Sequence, residues 1–251
     1  MFEQTEILDR QRHAGLRFAV SPSFSFAADQ MTAPIVVGEF SDLAKHYMIV
    51  FVREPGGNIM PTVLLGVQAR QNLYLDAKGG WDVPYIPLQF RRYPFIFAEN
   101  LGNASSTPEG ERREFLLAFD PAAPQWVPEG EGEPLFDENG APSALITSVM
   151  QLLEMFQHQV VATLEFTAAL DKSGCLVDRQ IEIALANGGE RYGVNEFLVV
   201  DNVAYGALAN ETRRDWEARG WLLPLYAHWI SLGNANALAS RLGAVQGVAM
   251  A

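Results

Sequence analysis

Tyr47-Met48-Ile49-Val50-Phe51-Val52-Arg53 is a continuous apolar run with the length of one β-strand, and Pro55-Gly56-Gly57 ends it with residues typical of a tight turn. A second apolar run, Thr62–Val67, follows at the distance expected for the returning strand of a hairpin. Because short connections of this kind join antiparallel strands, the two runs predict the start of an antiparallel sheet.

The rest of the first half continues this pattern of short strands and glycine-bearing turns. Strands are predicted at Asn72–Asp76, Pro94–Ala98 and Glu114–Asp120, and Lys78-Gly79-Gly80 is predicted as a turn. Gly38–His46 is predicted to form one or two helical turns that lead into the first strand. The short spacing between these segments favours antiparallel pairing over the long crossovers of a parallel sheet.

The apolar residues change their spacing after Ser143. They recur every three or four residues, which is the pattern of one face of an amphipathic helix. The recurring positions are Leu145, Val149, Leu152, Phe156, Val160 and Leu164. Ser143 is a suitable N-cap and Gly174 a suitable left-handed terminator, which predicts one long helix over 143–172, roughly 42 Å in length.

The second half adds a hairpin and a helical end. Arg179–Ala186 and Tyr192–Val200 are predicted as strands that flank the turn Asn187-Gly188-Gly189. Helices are predicted at Thr212–Arg219, Leu222–Leu232 and Asn234–Arg241. The order of these elements predicts an α+β fold, in which an antiparallel, sheet-rich N-terminal half packs with one long helix, a second hairpin and C-terminal helices.

We expect a single domain over residues 35–243, preceded by an N-terminal arm over 1–34 and followed by a tail over 244–251. Within the domain, residues 121–140 are expected to form an acidic loop region, because they include acidic residues without any basic one. The arm is polar and contains Ser and Pro, but its phenylalanines suggest that it docks on a partner or on the domain itself. Its phenylalanines are Phe2, Phe18, Phe24 and Phe26.

Composition excludes several classes of protein. Of the 251 residues 49% are hydrophobic, which excludes an intrinsically disordered chain. Lys and Arg total 18 against 30 Asp and Glu, and the net charge of −12 argues against a nucleic-acid partner. A single cysteine excludes a disulfide framework, and the four isolated histidines lack the spacing of metal ligands, so neither a metal nor a cofactor is expected.

Two segments bear on the location of the protein. Met1–Phe18 lacks the apolar core of a secretory signal, and we therefore expect a cytoplasmic protein. Gly220–Ser240 contains no charged residue, but it has too many polar residues to span a membrane. It is predicted to be a buried helical segment with a break, and no membrane span is expected.

Eight blocks of the sequence, in unbroken order over roughly residues 35–243, together resemble a known family. They are Glu39-Phe40, His46–Phe51, Leu64-Leu65-Gly66, Asn72–Asp76 before Trp81, Tyr85-Ile86-Pro87, Arg91–Phe95, Gly132–Asp137 and Tyr226–Asn234. The set resembles the SapC family of bacterial proteins.

The resemblance implies an association with surface layers, from which the family takes its name. It also implies a peptide or metabolite pathway, because such proteins are often encoded beside flavin-dependent halogenase-like proteins, cupin-like proteins and outer-membrane receptors. The sequence departs from the family at Leu116–Asp120, where relatives tend to have a cysteine-containing strand, so no role for a thiol is implied there.

The segment Arg91–Phe95 places two arginines and a tyrosine next to a proline. Pro94 is expected to hold Tyr93 in an extended conformation, which would direct Arg91 and Arg92 to opposite faces. A guanidinium group can fork onto a ligand carboxylate or phosphate, and the neighbouring tyrosine can assist it. The segment is therefore a candidate binding surface for a ligand or partner.

Trp81 and Tyr85 belong to the same candidate surface, because they add flat apolar groups near the arginines in sequence. The structural alternative is that one of the arginines forms an ion pair with Asp82 or Glu99. Both interpretations remain open at this point.

The second candidate group consists of Tyr226, His228, Ser231 and Asn234. His228 and Ser231 are three apart and share a helical face, as do Ser231 and Asn234 if the helix continues. One interpretation is a polar network that caps one helix and begins the next, with Ser231 or Asn234 as the capping side chain. The other is a histidine in a pocket wall that transfers a proton or contacts a substrate. Gly233 favours a bend between Ser231 and Asn234.

The leading hypothesis is a non-enzymatic binding or accessory protein that works with a protein, a peptide or a small metabolite. No catalytic residue is assigned, and Cys175 is expected to be a packed, inert thiol. The alternative hypothesis is an enzyme of unrecognised type with a pocket around Arg92, Tyr93 and His228.

Overall fold

The computed structural model describes residues 2, 4–20, 23–99, 115–128, 130–184 and 191–249. The chain forms two compact units, each built from separate segments. The first unit comprises Met1–Pro22 and Phe90–Gln157, and the second comprises Ser23–Gln89 and His158–Ala251.

Among the described residues, the strands pair only in the antiparallel sense, as the sequence predicts. In chain order they are β1 (Glu6–Ile7), β2 (Arg17–Phe18), β3 (Thr32–Pro34), β4 (Met48–Arg53), β5 (Ile59–Leu64), β6 (Phe95–Glu99), β7 (Phe115–Phe119), β8 (Trp126–Val127), β9 (Glu133–Pro134), β10 (Leu176–Ala184) and β11 (Arg191–Val200). The first unit holds two three-stranded sheets with the orders β1-β7-β6 and β8-β2-β9. The second unit holds one five-stranded sheet with the order β10-β11-β4-β5-β3.

The helices confirm the predicted α+β class. They are α1 (Phe40–Leu43), α2 (Leu88–Arg91), α3 (Ala144–Ser173), α4 (Asn202–Gly206), α5 (Asn210–Ala218), α6 (Leu222–Ser231) and α7 (Ala235–Ala249). The long helix α3 has 30 residues. Ser143 caps it by accepting a hydrogen bond from the Ile146 amide, and Gly174 follows it with a left-handed φ of 70°.

The apolar run that begins at Tyr47 becomes β4, the middle strand of the five-stranded sheet. Its first four residues are all buried, because the strand is covered on both faces. The ring centre of Phe166 on α3 lies 6.5 Å from that of Phe51 and 6.0 Å from that of Phe40. A strand buried on both faces explains why the run lacks the alternation of polar and apolar residues.

The first unit has its own apolar core. Its buried members are Phe18, Phe95, Phe119, Leu135, Ile146 and Leu153. Trp126 packs edge-on against three of these rings and donates a hydrogen bond from Nε1 to the Asp120 carbonyl at 2.8 Å.

The predicted strand Asn72–Asp76 is wrong, since only Leu75 forms an isolated bridge, to Trp81. Asn72 Oδ1 accepts the Tyr74 amide at 2.9 Å, and Asp76 Oδ1 accepts the amides of Lys78 and Gly80 at 2.7 and 2.8 Å. These side-chain turns use amides that a strand would offer to a neighbouring strand.

The predicted extended conformation of Arg91 is also wrong, because this residue ends helix α2 and β6 begins only at Phe95. Arg91 and Arg92 therefore do not alternate along a strand. The predicted turn at 187–189 lies outside the described residues.

The division into two units also differs from the domain boundaries expected at residues 34 and 243. Two strands of the expected arm are part of sheets in the first unit: Glu6 of β1 lies opposite Phe119, and Arg17 of β2 lies between Val127 and Pro134. In the described part of the chain, no helix is both long and apolar enough to cross a membrane.

Candidate functional site

Tyr47 lies at the centre of a buried hydrogen-bond network in the second unit. Its side chain is fully buried, and its Oη donates to the Tyr85 carbonyl at 2.6 Å and accepts from Trp81 Nε1 at 2.5 Å. Burial raises the pKa of Tyr47, which keeps the phenol neutral and able to donate. The network thus holds Trp81 and Tyr85 at fixed positions beside each other.

A second tyrosine extends the network toward the surface. The ring of Tyr74 lies 4.5 Å from that of Tyr47, and its Oη donates to the His46 carbonyl at 3.0 Å. Burial raises the pKa of Tyr74 to about 12. The guanidinium carbon of Arg241 lies 4.3 Å above the centre of the Tyr74 ring, and the same side chain pairs with Asp82.

Glu39 is a buried carboxylate that fixes Tyr85 from the other side. Its Oε1 accepts from the Leu88 amide at 2.7 Å and from the Tyr85 hydroxyl at 3.3 Å, and its Oε2 accepts from the Val36 amide at 3.1 Å. The sequence singled out Glu39 only as part of the family resemblance. A lone glutamate before a short helix carries no local sign of burial, so its role could not be predicted.

Four half-exposed aromatic residues are associated with this network: Phe24, Phe26, Trp81 and Tyr85. Trp81 and Tyr85 bond directly to Tyr47. The rings of Phe24 and Trp81 lie 5.7 Å apart edge to face, and those of Phe24 and Phe26 lie 5.8 Å apart. We call these four residues, with Asp82 and Arg241 at their rim, the Trp81 surface.

The Trp81 surface depends on a close approach at Gly79. The Phe24 amide donates to the Gly79 carbonyl at 2.7 Å, and Gly79 has a left-handed φ of 79°. A Cβ atom at residue 79 would lie 2.4 Å from Ser23 Oγ and 3.2 Å from the Ser25 amide nitrogen, and a left-handed φ disfavours residues with a side chain, so the turn favours glycine. Of the two possibilities predicted for the phenylalanines of the N-terminal arm, Phe24 therefore follows the second and docks on its own chain.

The second candidate group lies where β4 and β11 run side by side. The two strands pair at Phe51 and Leu198, and in that register Ile49 lies opposite Val200. These two residues do not bond to each other. Instead, side chains of α6 form hydrogen bonds with their backbone groups.

All four backbone polar groups of Ile49 and Val200 are bonded to α6. The Ile49 amide donates to Ser231 Oγ at 3.0 Å, and the Val200 carbonyl accepts from Trp229 Nε1 at 2.7 Å. The Val200 amide lies 3.1 Å from His228 Nε2, and the Ile49 carbonyl lies 3.0 Å from His228 Nδ1. The imidazole ring of His228 therefore replaces one hydrogen bond of the β-ladder.

The contacts of His228 define its protonation. A backbone amide can only donate, so Nε2 is the acceptor and the ring proton lies on Nδ1, where it is donated to Ile49. His228 is fully buried, and burial lowers its pKa to about 4. A neutral ring with both nitrogens bonded to backbone fits the predicted polar network better than it fits a pocket wall.

Asn234 joins this network to Tyr47. Its Nδ2 donates to the carbonyls of Ala44 and Tyr47, each at 2.8 Å. Ala44 is the C-cap of α1, so Asn234 satisfies the end of that short helix from the far end of the chain. Ser231 Oγ donates to the His228 carbonyl at 2.6 Å and does not cap the next helix.

The arginine-containing segment belongs to the first unit. The guanidinium carbon of Arg92 lies 4.9 Å from the ring centre of Phe2 and 4.8 Å from that of Phe156, and burial lowers the pKa of Arg92 to about 10. Tyr93 is buried, and its Oη donates to Asp120 Oδ2 at 3.2 Å. Arg91 is exposed at the end of α2.

The structure thus brings some of the predicted site residues together and separates others. Trp81, Tyr85 and Asn234 all bond to Tyr47, whereas Arg92 and Tyr93 belong to a different unit from His228. The pocket suggested for an enzyme around Arg92, Tyr93 and His228 stays a prediction.

The described residues contain no group of three or more His, Cys, Asp or Glu that could hold a metal ion. Cys175 is fully buried, as expected for a packed thiol.

The comparisons with known proteins identify one family. The SapC family model matches residues 8–238 of the 251-residue chain. Comparisons with curated proteins and with solved structures find no significant match. Because the family match covers most of the chain and includes every block that suggested the resemblance, this protein belongs to the SapC family.

Proposed function

We propose that this protein is a non-enzymatic binding or accessory protein, and that the Trp81 surface contacts its ligand, a peptide or a small metabolite. The observation that carries the proposal is that hydrogen bonds to buried residues hold two of the aromatic residues in place. Trp81 is bonded to Tyr47, and Tyr85 is bonded to Tyr47 and Glu39, so both half-exposed rings are held in place before any ligand arrives. Aromatic groups that are already ordered bind with little loss of conformational entropy.

The rim of the surface supplies groups for orientation. Asp82 and Arg241 carry opposite charges and remain partly exposed, with 42% and 23% of their side chains accessible. Together they match the paired charges of a free amino acid. A flat apolar centre with a few charged groups at its edge is typical of small-molecule and peptide sites.

The buried network on α6 favours binding over catalysis. A general base needs an accessible lone pair, and in His228 both ring nitrogens are bonded to backbone in a fully buried position. The hydroxyl of Ser231 is likewise buried and bonded on both sides. These contacts give His228 and Ser231 a structural role in the sheet.

The family name supports a setting linked to surface layers or receptors, with the protein itself in the cytoplasm. In this proposal the protein delivers or holds its ligand for other components of a peptide or metabolite pathway. Its acidic character is unsuited to nucleic acid, which leaves a protein, peptide or metabolite as the partner.

Affinity purification from the native cell, followed by mass spectrometry of the bound proteins and metabolites, tests the proposal. Trp81→Ala is expected to weaken capture of the main ligand at least about tenfold, as for an aromatic hot spot. Tyr226→Ala is the matched control, because Tyr226 is an exposed aromatic residue on α6 outside the Trp81 surface. Equal capture by a folded Trp81→Ala protein would contradict the proposal.

A further inference from the structure

The strand β10 forms one edge of the five-stranded sheet in the second unit. It has nine residues and pairs with β11 alone. In the described part of the chain, the backbone groups of β10 that face away from β11 have no hydrogen-bond partner. A row of unpaired amides and carbonyls of this length is a template for another strand.

The opposite edge of the same sheet is protected. Its edge strand β3 has only three residues and ends at Pro34, which lacks an amide hydrogen. The contrast makes β10 the open edge of the sheet.

The side chains of β10 alternate in character. Val177, Arg179 and Ile181 lie on one face, where they are opposite Val199, Phe197 and Val194 of β11. Leu176, Asp178, Gln180 and Glu182 lie on the other face, and the last three are exposed. One face of the edge thus has two aliphatic side chains with the exposed Arg179 between them. The other face has two carboxylates, of which Glu182 forms an exposed ion pair with Arg191.

A β-bulge opens a groove beside this edge. Between the pairs Arg179–Phe197 and Ile181–Val194, β10 has the single residue Gln180 whereas β11 has Asn195 and Glu196. Glu196 has a left-handed φ of 62°, which is uncommon for a residue with a side chain. The groove has a volume of about 530 Å³ and is lined by Asp178, Arg179, Gln180, Asn195 and Glu196.

We propose that the free edge of β10 binds an extended segment of a partner protein by β-strand addition. The segment alternates aliphatic residues, which lie on the side of Val177 and Ile181, with basic residues, which lie on the side of Asp178 and Glu182. The backbone of β10 provides the hydrogen bonds, and its two carboxylates select the charge. This site is separate from the Trp81 surface and does not depend on the function proposed for it.

A second copy of the chain fits the edge less well. In the antiparallel register that overlaps all nine residues, Gln180 lies opposite Gln180 and Asp178 lies opposite Glu182. The pairing of Asp178 with Glu182 occurs twice and sets like charges directly opposite each other, which is destabilising. The charge pattern of the edge therefore favours a basic partner over self-association.

A fluorescently labelled nine-residue peptide of alternating valine and lysine tests the proposal by fluorescence anisotropy. The full-length protein is expected to bind it, and Glu182→Lys is expected to weaken binding about tenfold. Glu211→Lys on the exposed first turn of α5 changes the net charge equally and is expected to leave binding unchanged. Trp81→Ala is expected to bind the peptide normally.

Two control peptides separate strand addition from general attraction to an acidic protein. The same peptide with glutamate in place of lysine, and the lysine peptide with alternate backbone amides methylated, are both expected not to bind. Binding of either control peptide, equal weakening by Glu211→Lys, or no binding of the lysine peptide at about 1 mM would overturn the proposal. A dimer of the unmodified protein that Glu182→Lys strengthens, by placing Lys opposite Asp178, would also overturn it, in favour of a second copy.

Discussion

Arg92 shows how the surroundings of one residue change its expected role. The sequence suggested an arginine that reaches toward a ligand, because it stands beside a tyrosine and a proline. In the structure its guanidinium group lies between the rings of Phe2 and Phe156, and it is half-buried. Arginine and aromatic rings attract each other strongly once water is excluded from them.

We therefore predict that Arg92→Ala destabilises the protein by about 1–3 kcal/mol, measured by urea unfolding. The loss has two causes, the two cation–π contacts and the packing of the long side chain. Arg91→Ala is the matched control and is expected to change the free energy of unfolding by no more than about 0.5 kcal/mol, since Arg91 is exposed. Weaker ligand binding by Arg92→Ala at unchanged stability would instead support the original interpretation.

His228 gives the protein a stability that depends on pH. Burial lowers its pKa from 6.5 to about 4 in the folded state, so the unfolded chain binds more protons between these values. The stability due to the neutral ring is complete above pH 6.5 and is lost progressively as the pH falls toward 4. At about pH 5 the loss amounts to about 2 kcal/mol.

The measurement compares urea unfolding of the unmodified protein and His228→Gln at about pH 7.5 and about pH 5. Glutamine does not titrate in this range, so the difference in stability between the two proteins should shrink by about 2 kcal/mol on acidification. An unchanged difference would show that His228 does not carry this dependence.

Among the helices and strands, α3 is the element that the sequence predicts best. The spacing of its apolar residues, the cap at Ser143 and the terminator at Gly174 are all local signals, and the observed helix begins and ends within a residue of the predicted limits. Its burial is more selective than the predicted stripe. Leu153 is 2% exposed in the core of the first unit, whereas Phe156 is only half-buried and contacts Arg92.

We accordingly predict that Leu153→Ala costs about 2–5 kcal/mol of stability, because it leaves a cavity in a packed core. Met155→Ala on the same helix, where the side chain is 41% exposed, is expected to change stability by no more than about 0.5 kcal/mol. Thermal denaturation of the two variants in parallel checks the contrast. Similar melting temperatures for both would mean that Leu153 is not part of the core.

Elements that depend on distant partners could not be predicted in the same way. Strands β1, β2, β8 and β9 have two residues each, which is too short for any periodic pattern. The segment around Asn72 and Asp76 has strand-like composition, but its side chains bond to nearby amides and form turns.

In the candidate sites, too, only the local features could be predicted from the sequence. That His228 and Ser231 share a helical face could be predicted from their spacing, and a polar network was one of the two interpretations. Their hydrogen bonds to the backbone of Ile49 and Val200 depend on the register between β4 and β11. This register cannot be predicted from any local sequence pattern. The same holds for the meeting of Trp81 and Tyr85 at Tyr47.

At the scale of the whole molecule, the two units are built from interleaved segments of the chain. Met1–Pro22 joins Phe90–Gln157, and the pairing of Glu6 with Phe119 links residues more than a hundred positions apart. A boundary drawn along the sequence cannot describe such a unit, since its segments are not contiguous.

The net charge of −12 argues against binding of nucleic acid. We expect no binding to a double-stranded DNA oligonucleotide at low salt with protein at up to about 100 μM, a concentration at which DNA-binding proteins bind non-specifically. Fluorescence anisotropy of the labelled DNA provides the measurement, and retention on an anion exchanger at neutral pH confirms the charge of the same sample. A rise in anisotropy that salt abolishes would reveal a basic patch strong enough to outweigh the net charge.

The bond between Val200 and His228 also has a spectroscopic consequence. Most amides in a β-ladder donate to oxygen, whereas this one donates to a ring nitrogen. Two isotopically labelled nitrogen nuclei joined by a hydrogen bond show a scalar coupling that an oxygen acceptor does not give. An NMR spectrum would therefore contain a cross-peak between the Val200 amide and the His228 ring, and its presence in solution would report that α6 still holds the two strands together.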